Sequence, residues 1–315
     1  AKSVLYYKFS ELMLNCTSGN WPEEIDFDHD LINRNLGIGE FFYTPIYPEW
    51  TGFLYIARGN FQATEWIVQK MSDIGETYDN DWAKVIKFVM NTTFLLKFRK
   101  LQDSLSEAEA GIQFVGKTGF QVWLIHLYSI KSRIHIMMGD VSGATDSIVH
   151  AEEIKPKVTT APQNVEEFVM SKFILNLYQL EETMKKADNI TLSMHRTNTF
   201  KAGKEVMKIA KKYALIKVEA LKLMGLYYWL IGKQRKAKQW WRKTISEGLR
   251  LNDRLELSRT YYEVGKRLLE PKSKHKELVG IKAEEYLEKA RVMFEEMDLQ
   301  WDLDELEKLK IQIGT

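Results

Sequence analysis

The 315-residue sequence predicts an all-α fold of antiparallel helix pairs. Three observations carry that reading. The six prolines, Pro22, Pro45, Pro48, Pro156, Pro162 and Pro271, leave 49–155 and 163–270 free of the residue that most strongly ends helices. Within those stretches apolar residues recur at three and four positions rather than two, as in Trp82, Val85, Ile86, Val89, Thr93 and Leu96. No Asn-Gly or Asp-Gly turn lies between alternating apolar runs, so the hairpin signal is missing.

The elements follow in order from the breakers. A helix over 3–15 is followed by 16–47, where Gly19, Pro22, Gly37, Gly39 and Pro45 interrupt any period and leave room for one short helix near 30–36. A helix over 48–58 starts at Pro48. Helices over 61–76, 80–99, 103–116, 120–138 and 141–154 come next, joined by short links such as Gly139-Asp140. Pro156 and Pro162 separate these from helices over 164–187, 192–213, 215–231, 234–249 and 252–269, and Pro271 closes the last of them. Helices over 276–297 and 302–312 end the chain. Short links make successive helices antiparallel neighbours. The chain thus reads as an N-terminal helix and irregular segment, 1–47, followed by a helical array with a C-terminal capping helix, 48–315.

Within the array one unit repeats. From Leu215 to Leu249 it places Leu221, Met224-Gly225 and Tyr228 on one helix, Gly232 at the turn, and Ala237 and Trp241 on the next. Small residues sit where two helices cross closely, large ones fill the space beside them, and glycine takes the left-handed turn position. This unit resembles the tetratricopeptide repeat. Weaker copies are Tyr128, Ser132, His135, Gly139, Ala144, Ile148 and Ala151; Gly52, Tyr55, Gly59, Thr64 and Val68; and Ser258, Tyr261, Gly265, Ala283, Leu287 and Ala290. The resemblance implies a right-handed α-solenoid of degenerate repeats. The last stretch, Tyr286 to Leu303, resembles the final repeat of large bacterial signalling proteins, in which such arrays follow a cyclase, kinase or regulatory ATPase domain. It implies a non-catalytic interaction or scaffold module, the regulatory or sensor part of a larger signalling protein. A first residue of Ala rather than Met agrees with a processed end or an excised piece.

In the resembled family the first helix of each pair lines a concave surface. Counting back ten, six and three residues from each turn places Ser129, Arg133 and Ile136, then Lys222, Leu226 and Trp229, then Leu255, Arg259 and Tyr262 on that surface. Such basic and aromatic groups suit an acidic peptide with apolar anchors, or a neighbouring domain of the same polypeptide.

The composition and the motifs agree with a non-enzymatic role. Charged residues make up 28% of the chain and its net charge is +2, which demands no polyanionic partner. The single cysteine, Cys16, excludes a disulfide framework and suits a reducing, cytoplasmic setting. The longest apolar run, Leu223 to Gly232, is half of the ~20 residues a membrane span needs. No phosphate-binding glycine loop is present, and Gly37-Ile-Gly39 lacks the third glycine of a dinucleotide site. The six histidines form no metal-ligand pair. Asp26, Asp28 and Asp30 alternate like a calcium loop but lack its glycine and final glutamate, so they read as a solvated loop or helix cap. No catalytic residue, cofactor or metal is therefore expected. One asymmetry leaves an alternative open. Residues 201–250 hold fourteen Lys and Arg against three acids, a basic region able to bind nucleic acid or another polyanion.

Overall fold

A computed structural model describes residues 2–186 and 189–313. Ala1, on which the reading of the chain's start rests, lies outside the described residues. Among these the protein is all-α apart from one hairpin of two-residue strands. Its helices are α1 (Lys2–Ser18), α2 (His29–Gly37), α3 (Tyr43–Arg58), α4 (Phe61–Thr77), α5 (Asp81–Lys97), α6 (Leu101–Val115), α7 (Val122–Met137) and α8 (Val141–Ile154). They continue with α9 (Pro162–Lys185), α10 (Asn189–Ala210), α11 (Lys217–Leu230), α12 (Gln234–Leu251), α13 (Arg254–Leu269), α14 (Ala283–Glu296) and α15 (Gln300–Ile313). The hairpin pairs β1 (Glu277–Leu278) with β2 (Ile281–Lys282).

Two helix starts differ from the sequence reading by five residues or more. Helix α3 begins at Tyr43 rather than Pro48. Pro45 falls in the first turn, where a missing N–H costs nothing, so only Pro48 removes an intrahelical bond. The helix expected from 276 begins at Ala283, because Val279 (φ 57°) and Gly280 (φ 74°) both adopt left-handed conformations. Two such residues in succession make a tight hairpin turn and cannot continue a helix.

One turn geometry recurs through the chain. The backbone N–H of Asn60, Asn80, Lys100, Asp140, Lys233 and Asp253 donates to the carbonyl five residues earlier, at 2.8–3.0 Å. The residue before each donor is left-handed: Gly59, Asp79, Arg99, Gly139, Gly232 and Asn252. This is the Schellman closure, which satisfies the carbonyls at the end of one helix. Four of the donors cap the following helix as well: the side chains of Asn60, Asn80, Asp140 and Asp253 accept from its first-turn N–H groups. Consequently α4, α5, α6, α7 and α8 begin at 61, 81, 101, 122 and 141, a cadence of about twenty residues per helix.

The chain divides into two compact units. The first holds Ala1–Ile56 and Asn60–Leu215, the second Ala57–Gly59 and Ile216–Thr315. The division therefore falls within the stretch read as one array, near the 3₁₀ turn at Ala214–Ile216, and not at 47/48. In the first unit each helix from α4 to α10 packs on the next, and α7 also packs on both α5 and α9. Its core joins Leu5, Ile32, Tyr47, Ile67, Met71 and Ile86, drawn from α1 to α5, and continues through Val89, Val115, Leu127, Ile130 and Ile134. In the second unit each helix from α11 to α15 packs on the next, and α13 also packs on both α11 and α15. Trp229, Trp241, Tyr286 and Phe294 are its largest fully buried side chains.

Candidate functional site

The residues expected to line a concave surface are found at seams inside the units. In the first unit Arg133 of α7 is 6% exposed and donates to Glu167 of α9 at 2.8 Å, while Ser171 donates to the same carboxylate oxygen. Ser129 and Ile136 are buried beside it, and Ser129 donates back to the Ile125 carbonyl. In the second unit Lys222 of α11 reaches Glu256 of α13 at 2.6 Å. Arg259 of α13, 5% exposed, holds Asp302 of α15 through two bonds of 3.0 and 2.8 Å. Trp229 donates its indole N–H to Glu270, and Tyr262 reaches the Glu305 carbonyl. Leu255 is buried and Leu226 is half-buried.

Counting back from the turns thus finds the positions that face the next odd-numbered helix of the same unit. The expectation that Arg133, Lys222 and Arg259 offer charge to an external partner is corrected accordingly. Odd-numbered helices stack side by side, and each cation is engaged by a carboxylate across the seam. Both Arg133–Glu167 and Lys222–Glu256 join residues 34 apart.

Charge directed to solvent lies on α12. Arg235, Lys238 and Arg242 follow at i, i+3 and i+7, and no carboxylate pairs with them among the described residues. Lys236 sits over the Tyr228 ring and Lys243 over the Trp240 ring, at 5.6 and 5.3 Å from the centroids. Beside them an open groove of about 600 Å³ is lined by Lys217, Leu221, Gln239, Arg242, Lys243 and Glu247. His275 registers the local field. Burial, together with Lys238, Arg235 and Lys274, lowers its pKa from the ordinary value.

A second feature lies within the first unit and is of another kind. A cavity of about 180 Å³ is walled by Trp50, Trp82, Trp123 and Tyr213, and Glu49, His126 and Glu166 also line it. Glu49 and Glu166 are 4% and 7% exposed, and Oε1 of the first and Oε2 of the second have no hydrogen-bond partner. Burial pushes Glu49 up to about 8 and Glu166 well above the usual carboxylate range. Burial also lowers His126 to about 4, against an opposing pull from Glu167. His126 Nε2 lies 3.0 Å from Thr93 Oγ1, and its Nδ1 lies 3.8 Å from Glu166. With His126 neutral at pH 7, the His126–Glu166 contact is polar rather than an ion pair.

Linkage fixes how this cluster responds to pH. Between the ordinary 4.5 and about 8, folded Glu49 keeps a proton that the unfolded chain has released, so stability falls as pH rises through that window. His126 acts in reverse: between about 4 and 6.5 the unfolded chain binds the extra proton, and stability rises with pH. Above pH 6.5 His126 no longer contributes, and Glu49 still does. The thermal midpoint of the first unit is expected to decline from pH 6.5 to 8, and Glu49→Gln to flatten the decline. A wild-type midpoint with no slope there would contradict the burial of these acids.

Sequence reasoning missed this cavity because Glu49, His126 and Glu166 share no motif. The available signal was a carboxylate inside an aromatic run, Tyr47-Pro48-Glu49-Trp50, and another between Val165 and Phe168. Elsewhere the polar motifs are structural. Asp28 caps α2 by accepting from the Leu31 N–H, and Lys8 reaches both Asp26 and Asp28. Cys16 is fully buried, and burial pushes its thiol far up, which leaves it unreactive. His135 pairs with Asp140 at the turn that precedes α8. Among the described residues no group of three His, Cys, Asp or Glu is placed to hold a metal ion, and no helix is long and apolar enough to cross a membrane. No protein-family model matches the chain, and no curated protein matches it.

Proposed function

We propose that the protein is a non-catalytic interaction module, a right-handed α-solenoid of degenerate tetratricopeptide-like repeats. In this reading it serves as the regulatory or scaffold part of a larger signalling protein in the cytoplasm. The observation that carries the reading is the pair of ion bridges, Arg133–Glu167 and Lys222–Glu256, each spanning 34 residues between alternate helices. The bridges fall at equivalent steps, α7 to α9 and α11 to α13, whose helices start 40 and 37 residues apart, somewhat longer than the 34 of a regular tetratricopeptide repeat and in keeping with a degenerate array. Because the seam cations are engaged internally, the partner surface moves to α12. Its unpaired Arg235, Lys238 and Arg242, together with Lys243 and the adjoining groove, suit an acidic protein segment.

The test is a fluorescence-anisotropy titration with a labelled glutamate-rich peptide that carries a Leu or Phe anchor, alongside single-stranded and duplex DNA. Saturable peptide binding is expected, weakening severalfold between about 50 and 200 mM salt. DNA binding tighter than peptide binding, with a salt slope of several phosphates, would favour the polyanion alternative and overturn this one. The purified protein is also expected to release no phosphate from ATP or GTP. Turnover that co-purifies with the chain through successive columns would end the non-catalytic reading.

A further inference from the structure

The cavity in the first unit differs from an apolar packing void. Voids that result from packing alone are apolar and stay dry, whereas this one contains two carboxyl groups. A buried acceptor left without a partner is destabilising, and Glu49 Oε1 and Glu166 Oε2 are both in that position. Their helices, α3 and α9, come from distant parts of the chain. Among the described residues no lysine or arginine lines the cavity, and the nearby Arg133 is engaged by Glu167. The other titratable groups around it are His126 of α7, Glu167 of α9, Tyr213 and Cys16 of α1. None of these supplies a positive charge at neutral pH. Trp50, Trp82 and Trp123 line it together with Phe9, Phe53 and the amides of Gln163 and Asn164, and aromatic rings attract cations to their faces. Unpaired acceptors and aromatic rings, with no lysine or arginine among the lining residues, define the chemistry that the cavity suits.

We propose that this cavity binds a small organic cation whose ammonium group donates to Glu49 and Glu166 and whose hydrocarbon body packs on Trp50, Trp82 and Trp123. Its volume sets the scale. About 180 Å³ compares with the roughly 150 Å³ of a cavity that holds benzene, so a single-ring or short-chain amine fits. A quaternary ammonium satisfies the π faces but leaves both oxygens unpaired, so primary amines bind best. The proposal does not depend on the acidic-partner reading, which concerns α12.

The experiment is isothermal titration of the whole chain at pH 7 with benzylamine, with toluene and benzoate as neutral and anionic counterparts of the same size. It is run in two buffers of different ionisation enthalpy and followed in parallel by tryptophan fluorescence. Benzylamine is expected to bind one-to-one, at least tenfold more tightly than toluene, and benzoate not to bind. Binding should release about one proton, because the ammonium ionises a carboxyl that is protonated in the empty cavity. Glu49→Gln and Glu166→Gln should each weaken benzylamine tenfold or more and leave toluene unchanged. Toluene binding as well as benzylamine, or an absence of proton release, would overturn the proposal using the unmodified protein alone. So would a lack of saturable heat at millimolar benzylamine, or full retention of affinity in both variants.

Discussion

Arg259→Glu is expected to destabilise the second unit by about 3–5 kcal/mol, enough to shift its urea midpoint by a molar unit or more. The guanidinium is buried, and its two bonds to Asp302 tie α13 to α15. Reversal removes the guanidinium that neutralises Asp302 across this seam and places a second carboxylate beside it, with Glu256 also close by in the field Arg259 experiences. A surface arginine would tolerate the same change within about 0.5 kcal/mol. The charge-swapped pair, Arg259→Asp with Asp302→Arg, should recover part of the loss, which separates a broken ion pair from general intolerance of the site. A midpoint that does not move in the single variant would mean that the arginine is solvated.

Gly225→Leu is the second large effect, about 3 kcal/mol at the upper end of overpacking costs. A Cβ built at Gly225 already overlaps the indole of Trp241, and that indole cannot readily withdraw. It is fully buried, it contacts Trp229 with ring centroids 5.4 Å apart, and its N–H is directed at the Lys222 carbonyl. The sign for Gly225→Ala is also informative. In an exposed helix interior alanine gains about 1 kcal/mol over glycine, whereas here it should lose stability. A thermal midpoint raised by Gly225→Ala would show that α11 and α12 cross less closely than described.

The helices were legible in the sequence because their stops are chemical. A left-handed residue followed by a capping Asn or Asp marks the ends of α3, α4, α7 and α12, and proline marks the start of α9. The small-residue crossing at Gly225 and Trp241 was legible for the same reason: a large residue needs a small one opposite it. The hairpin at 277–282 was not, since nothing in Glu-Leu-Val-Gly-Ile-Lys announces that Val279 takes a positive φ. For the site, the count back from each turn found the right helix face and gave it the wrong neighbour. Periodicity tells which face of a helix is special but not whether solvent or another helix covers it. Arg133 and Arg259 look like surface cations until Glu167 and Asp302 are placed beside them. The cavity acids were hidden by the same limitation, since a carboxylate in a helix ordinarily marks the wet side, and Glu49 and Glu166 face inward.

The central claim is that the seam cations hold the helices within each unit together while α12 meets the partner. It is tested most directly by anisotropy titration of the acidic peptide against two double variants of equal charge change. One is Arg242→Glu with Lys243→Glu on α12, and the other is Lys276→Glu with Lys282→Glu at the hairpin, both pairs being exposed in the second unit. The α12 variant is expected to lose at least tenfold in affinity with its thermal midpoint unchanged, and the hairpin variant less than threefold. Equal losses from the two would instead mean a diffuse electrostatic contact with no site on α12, and would contradict the account.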